Sequence, residues 1–356
     1  MKMMIDVDNT ICVHENRDYK NAKPIWPVIN KVNELYRRGV NICLYTSRGQ
    51  NSCGGDLKLI IERNENVLVD WLKRYGVCYN ELIFGKPLAD FYIDDGGMNV
   101  NEFLDSSFEV LQGNSNSQVA RFGNTVVKTA KNVKYQFDWY NRFDGWFGTS
   151  AIHVPQHRLL TLNTIKMDYV DGNSFAVEYN EVNLRRLFDV VASFSVLPAL
   201  NKNIDSYIDS CKRCYASDMY TKIVRELNLR KDDLLSQTSF CHGDLSFSNV
   251  IVSFDDSFVL IDPNERECDS YLFDLAKMRC SCDGLENILG QQSCVARNAV
   301  EQFDILADEF GYDLHLIGLL EITRFARIIP YMRIAGRKDV IYSLVEKVET
   351  LCREML

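Results

Sequence analysis

The chain is short of histidine, of positive charge and of unbroken apolar runs, and each shortage removes a class of function. Only five histidines occur in 356 residues, and none is spaced with the cysteines as the ligands of a zinc centre are. No run of about eighteen apolar residues is present, so no membrane-spanning helix is expected. Acidic residues outnumber basic ones, 49 against 40, for a net charge of -9. Such a surface repels phosphate backbones and anionic lipid, which argues against a nucleic-acid or membrane partner. The Gly-x4-Gly-Lys-Ser/Thr loop of P-loop enzymes is missing, as are internal repeats and low-complexity tracts.

What remains is ordinary globular protein: 46% hydrophobic and 25% charged, with a length that suggests two domains. Twelve cysteines are scattered along the chain. Asp6 and Asp8 stand where the apolar core of an export signal would lie, so the expected setting is a reducing cytoplasm with free thiols. Cys211-x-x-Cys214 and Cys280-Ser-Cys282 sit in helical patterns and not in the strand-to-helix context of a redox pair.

Acidic residues recur at the ends of apolar runs. Met3-Met4-Ile5-Asp6-Val7-Asp8 reads as a strand ending in two carboxylates, which alternation would place on one face. The run Val40 to Tyr45 leads into Thr46-Ser47-Arg48-Gly49; Phe84-Gly85-Lys86-Pro87 and Phe91-Tyr92-Ile93-Asp94-Asp95 follow. Between them, Pro27 to Arg38 and Leu57 to Tyr75 have helical apolar spacing. Strands alternating with helices predict a parallel sheet that gathers its site at the carboxyl edge.

These four pieces resemble, in order, the haloacid dehalogenase (HAD) superfamily of phosphatases. The resemblance implies a Rossmann-type α/β domain over residues 1–106 and an Mg²⁺-dependent phosphate-ester hydrolase. Asp6 would be the nucleophile and Asp8 the acid and base, with Thr46 and Lys86 on the phosphoryl oxygens. Asp6, the Asp8 carbonyl and Asp94 would hold the metal, and Asp95 would act directly or through water. The intervals from Asp8 to Thr46 and from Thr46 to Lys86 leave no room for a cap domain, so a capless site is expected.

A second constellation lies in the other half. In Phe240-Cys241-His242-Gly243-Asp244-Leu245-Ser246-Phe247-Ser248-Asn249 an amide follows a carboxylate by five residues. Val250 to Val252 and Phe258 to Ile261 read as a hairpin that brings Asp262-Pro263 beside them. This spacing suits phosphoryl transfer from ATP: Asp244 accepts the proton of an attacking hydroxyl, while Asn249 and Asp262 hold Mg²⁺. The segment resembles the catalytic loop of the aminoglycoside phosphotransferase and choline kinase family, relatives of the protein kinases. Protein kinases carry Arg where Gly243 stands, and that Arg answers a phosphorylated activation loop; Gly243 argues against such gating.

The resemblance implies a bilobal α+β kinase-like domain over 107–356, with a small lobe at 107–170 and a large helical lobe at 171–356. Phe108–Leu111, Gln118–Phe122 and Thr125–Lys128 read as its first strands. Lys128 would meet the ATP phosphates, and main-chain groups of Met167, Asp168 and Tyr169 the adenine. The family's Glu partner for that Lys has no counterpart, since no Glu occurs between Glu109 and Glu178; Gln136 or Asp138 would replace it. Asp274 would brace the catalytic loop. Helical periodicity continues through 293–310, 314–332 and 340–355. Arg324, Arg327, Arg333 and Arg337 suit an anionic acceptor, and Glu265, Glu267 and Asp269 a cationic one.

The expectation is therefore a bifunctional enzyme acting on small molecules: a phosphatase joined to a kinase of a sugar, polyol or amino alcohol. Both halves resemble proteins of capsular and other surface-polysaccharide assembly. Two rivals are a phosphatase with a catalytically dead, ligand-binding kinase half, and a nucleic-acid end-processing enzyme. The missing P-loop and basic stripe count against the latter.

Overall fold

The computed structural model describes residues 2–14, 18–49, 52–54, 56–85, 91–93, 100–111, 117–131, 133–147 and 152–356. The chain divides into two compact units, Met1–Val133 with His157–Tyr169, and Lys134–Gln156 with Val170–Leu356.

In the first unit, Lys2–Asp6, Asn41–Thr46, Glu81–Phe84 and Phe91–Ile93 form a parallel sheet. Lys2–Asp6 lies inside it, between Asn41–Thr46 and Phe91–Ile93. Met3, Met4, Ile5, Ile42, Cys43 and Leu44 are all fully buried, as expected where a parallel sheet is covered on both faces and its strands need not alternate. Two helices supply crossovers. Trp26–Arg37 has Pro27 in its first turn, where a missing N–H costs nothing. Leu57–Arg74 is capped by Asp56, which accepts from the Lys58 and Leu59 amides. Because the strands are parallel, Asp6, Thr46 and the end of Phe91–Ile93 share one edge of the sheet.

The first unit also holds a five-stranded antiparallel sheet. Phe108–Leu111, Gln118–Phe122 and Thr125–Thr129 are joined by Thr164–Asp168 and His157–Thr161. The Gly123-Asn124 turn works because Gly123 adopts φ 56. Residues 105–107, where a boundary is expected, connect the helix Val100–Asp105 to this sheet. Phe103, Phe108, Phe122 and Val127 belong to the same buried cluster as Met3, Ile5 and Trp71.

The second unit is mainly helical around one small sheet. The expected hairpin is present: Val250–Ser253 and Phe258–Leu260 pair antiparallel, flanked by Gly172–Ser174 and Ile152–His153. Side-chain caps start several helices: Asn180 for Glu181–Ser195, Ser217 for Asp218–Leu229, Ser270 for Tyr271–Cys282 and Asp313 for Leu314–Ile334. The last of these is buried at every position from Leu316 to Ala326, the pattern of a core helix. Periodicity placed a helix start near Ser293, but the helix begins at Ala299. The Cys294 amide donates to the Ala176 carbonyl, which holds the preceding segment out of the helix. Among the described residues no helix is long and apolar enough to cross a membrane.

Trp71 anchors the first unit: it is 1% exposed and its indole N–H donates to the Ala22 carbonyl at 2.8 Å. Trp71→Ala removes a large buried ring and leaves that carbonyl without its partner. The expected loss is about 3–5 kcal/mol, read by urea denaturation; a loss under about 1 kcal/mol would contradict this packing.

Candidate active sites

At the carboxyl edge of the parallel sheet, Asp6 closes its strand and is partly buried. The strand stops there, so alternation is not what places Asp8. The chain turns instead, with the Val7 carbonyl accepting from Ile11 and Cys12 and with Asn9 at φ 62. Asp8 is then held from several sides. Arg48 Nε lies 3.0 Å from both carboxylate oxygens and Nη2 2.8 Å from Oδ1. Thr46 Oγ1 donates to Oδ2 at 3.1 Å, and His14 Nε2 lies 3.4 Å from Oδ1. The Thr46 hydroxyl, expected on a phosphoryl oxygen, thus serves Asp8, and it also accepts from the Arg48 amide. Lys86, Asp94 and Asp95 lie outside the described residues.

Arg48 is a residue that sequence reasoning passed over. It is 2% exposed, stacks on the Tyr19 ring at 4.3 Å, and keeps Nη1 without a hydrogen-bond partner among the described residues. It also floors a hollow of about 230 Å³ lined by Tyr19, Lys20, Arg63 and Asn64. Its signal was available: an arginine two residues beyond an apolar strand that ends beside an acidic pair has carboxylates to meet.

In the second unit the loop 242–244 is built on one carboxylate. Asp274, fully buried on Tyr271–Cys282, accepts from the His242 amide at 2.6 Å and the Gly243 amide at 2.8 Å. Burial raises it to about 7 against these two bonds. Gly243 is required by geometry: its φ is 81, and a Cβ there would lie 2.1 Å from the Asn264 carbonyl. His242 is sealed below the loop. Its Nε2 faces the Ile261 carbonyl at 2.9 Å, and Nδ1 accepts from the Asp244 amide at 3.4 Å. This sets the tautomer with the proton on Nε2. Trp139 stacks on Phe240 and donates to the Cys241 carbonyl at 2.8 Å.

Asp244 projects from this platform, partly open, with Lys277 Nζ at 3.0 Å and Arg266 Nη2 at 3.6 Å. Burial alone would raise its pKa, but these two cations overcome that and hold it well below the usual carboxylate range. Asn249 spends its amide nitrogen on the Asp244 carbonyl at 2.8 Å, which leaves its side-chain oxygen as the ligand end. Asp262 follows Phe258–Leu260 at φ 63, in the left-handed region. Its amide donates to Tyr140 Oη at 3.1 Å, and its Oδ1 accepts from Gln136 Nε2 at 2.7 Å. Among the described residues no group of three His, Cys, Asp or Glu side chains could hold a metal. The second-unit set is an amide and a carboxylate, Asn249 and Asp262.

Several other expected residues have definite places. Lys128 lies on the antiparallel sheet and is 5% exposed. Of the two substitutes for the missing Glu, Asp138 pairs at the surface with Lys134, and Gln136 is committed to Asp262 and Pro263. Met167 and Asp168 are paired within the sheet. The Tyr169 amide, one of the expected adenine-binding groups, already donates to the Asn124 carbonyl at 2.8 Å. The ring of Tyr169 stacks with Arg121. Asp269 is not open to a ligand: it is 2% exposed and accepts from the Leu200 and Asn201 amides. Glu267 pairs with Arg327 at 3.2 Å. Arg333 and Arg337 are on the surface, and Arg337 faces Asp339. Arg324 is 3% exposed. Cys211 and Cys214 are buried on Ile204–Cys214, and burial pushes the Cys214 thiol up to about 11, which keeps it unreactive.

No protein-family model and no curated protein matches the chain. Solved structures do. A thermostable mutant of aminoglycoside phosphotransferase APH(4)-Ia is 12% identical, with 72% of this chain and 97% of that one covered and a TM-score of 0.53. The choline kinase from Streptococcus pneumoniae is 14% identical, with 70% and 94% covered and a TM-score of 0.51. The GDP and kanamycin complex of APH(2")-IIia is 14% identical, with 73% and 98% covered and a TM-score of 0.50. At such identities the likeness is one of fold. About 70% of the chain has the aminoglycoside phosphotransferase and choline kinase-like fold, with mixed α and β content.

His242 offers a direct test of the platform. Burial lowers its imidazole to about 4, from an ordinary 6.5, so the folded chain refuses a proton that the unfolded chain takes. Its contribution is complete above pH 6.5 and is lost as pH falls towards 4. Asp274, raised to about 7, runs the other way, its contribution complete below about pH 3.8 and lost as pH rises through 7. The difference in unfolding free energy between the native chain and His242→Gln isolates the histidine. It should grow by about 3 kcal/mol from pH 4 to 6.5; a flat difference would mean that the ring is not buried neutral.

Proposed function

We propose that the chain is a bifunctional small-molecule enzyme. Residues 107–356 carry an ATP-dependent kinase centre, and residues 1–106 an Mg²⁺-dependent phosphate-ester hydrolase of the HAD type. The functional divide is proposed at 106/107, with the small lobe at 107–170 and the helical lobe at 171–356. The observation that carries the kinase reading is the loop Asp244 to Asn249 braced by Asp274 beside Asp262, in a chain whose fold resembles small-molecule phosphotransferases.

Asp244 is the base. A carboxylate kept ionised by Lys277 and Arg266 is ready to accept the proton of an acceptor hydroxyl. Asn249 and Asp262 fit Mg²⁺ because the amide nitrogen is tied back and leaves an oxygen for a hard cation. The ion, when bound, neutralises charge on the ATP phosphates. Lys128 is assigned to the nucleotide phosphates and Met167 to Tyr169 to the base, where the occupied Tyr169 amide leaves carbonyls for recognition. Gln136, by holding Asp262, takes a positioning role in place of the absent Glu.

For the first unit, the support is the parallel order that sets Asp6 and Thr46 on neighbouring strand ends, with Asp8 held by Arg48. Asp6 is the nucleophile, Asp8 the acid and base, Thr46 and Lys86 the groups beside the phosphoryl oxygens. Asp6, Asp8, Asp94 and Asp95 are the proposed metal set. The hollow beside Arg48 suits an anionic substrate. A substrate drawn from surface-polysaccharide assembly is consistent with both halves.

Separate variants test the two centres. With radiolabelled ATP and a panel of sugars, polyols and their phosphate esters, Asp244→Ala should abolish phosphoryl transfer and spare phosphate release. Asp6→Asn should do the reverse. Each loss should exceed about a hundredfold. If Asp244→Ala leaves transfer unchanged, the second unit is a binding module and not a kinase.

A further inference from the structure

The charge around Asp244 is uneven, and the imbalance bears on what the proposed kinase would phosphorylate. Three carboxylates of this region are already engaged. Asp274 holds the loop amides, Asp269 the Leu200 and Asn201 amides, and Glu267 the Arg327 guanidinium. Glu286 accepts from Ser281 through Oε1, its Oε2 has no hydrogen-bond partner among the described residues, and burial pushes it towards its neutral form. Glu265 faces solvent. Asp274, Asp269 and Glu267 are thus engaged by the protein itself, and Glu286 leans to its neutral form, which disfavours a cationic acceptor.

One cation, Arg324, is not spent. Arg324 is 3% exposed, yet Nε, Nη1 and Nη2 all lack a hydrogen-bond partner among the described residues. Its guanidinium lies 4.7 Å from the Phe273 ring centre and 5.9 Å from that of Tyr207. Ring faces offer about 2 kcal/mol at best, well short of what an isolated buried charge loses on leaving water. Arg266 is anchored by Nε to the Gly243 carbonyl at 2.6 Å and turned to Asp244. Burial and then the like charge of Arg324 lower it to about 10. Arg266 beside the base, and the Arg324 guanidinium that repels it, leave room for one more negative charge.

We infer that the acceptor is a small hydroxylated anion, whose carboxylate or phosphate is bound by Arg324 and Arg266 while its hydroxyl faces Asp244. The inference rests on the kinase reading and narrows it, because it removes choline, ethanolamine and the aminoglycosides from the acceptor class. Arg324 and Arg266 act as specificity residues. A bidentate guanidinium suits either planar carboxylate or phosphate, so the shared requirement is the negative charge.

The test uses the whole chain with Mg²⁺ and ATP, and reads ADP, since the first unit is proposed to release phosphate. Glycerate and glycerol 3-phosphate are compared with uncharged glycerol and with choline, and the binding of each is measured by calorimetry. One of the two anions should exceed glycerol and choline by at least about tenfold in kcat/KM or affinity, and which one does so separates carboxylate from phosphate recognition. Arg324→Met should raise the KM for that anion at least about tenfold with the KM for ATP unchanged, and Arg324→Lys should restore part of it. Arg266→Gln should weaken the same anion, which keeps the test open if Arg324→Met does not fold. Preference for choline or glycerol overturns the inference and leaves the kinase reading standing. Anion binding that ignores all three variants also overturns it. Anion binding that responds to them without ADP release supports the anion site and overturns the kinase reading. Neither anion binding nor ADP release overturns both.

Discussion

A buried carboxylate bonded to two consecutive main-chain amides is what the second unit is arranged around. Asp274 sits without solvent under His242 and Gly243, and the loop can take its left-handed turn at Gly243 only because those amides have an acceptor. The turn then sets Asp244 facing outward, and the Asn249 side chain closes back onto the Asp244 carbonyl. Buried polar groups are costly when unmatched and rigid when matched. Here the match is complete on the loop side, so the geometry of His242, Asp244 and Asn249 follows from one buried side chain.

The same logic appears in the first unit with the signs exchanged. There a buried guanidinium, Arg48, spans both oxygens of Asp8, and Thr46 completes the contact. In each unit a carboxylate, Asp8 or Asp244, is held by a cation from a neighbouring element. In each, one arginine has guanidinium nitrogen without a hydrogen-bond partner among the described residues, Nη1 of Arg48 and all three nitrogens of Arg324. Unanswered positive charge in a negatively charged protein is a local property, and it is where anionic ligands are drawn. The overall charge of -9 speaks to extended polyanions and says nothing of such sites.

Much of the architecture was readable before any coordinates. The parallel strands follow from apolar runs ending in acids, the helices from their periodicity and caps, and the hairpin at 250–260 from two short β-branched runs. The brace was assigned to Asp274 from the resemblance to the kinase-like family. Other features resisted. Asp8 was expected from strand alternation, whereas a turn positions it, because the strand ends at Asp6. The helix expected from Ser293 starts at Ala299, since a long-range bond from the Cys294 amide competes with it. Asp138, a candidate for the missing Glu, is drawn off by Lys134 one helical turn away.

What the sequence determined by itself was therefore local: periodicity, capping, turn chemistry and the spacing of acids along a strand or loop, all set by neighbours within a few residues. Tertiary structure alone decided which charges are satisfied. Arg48 and Asp8 are 40 residues apart and Gln136 and Asp262 are 126 apart. Arg324 is left without a hydrogen-bond partner among the described residues although acids are plentiful along the chain. Electrostatic pairing depends on distance and burial in space, and neither is written in the order of residues.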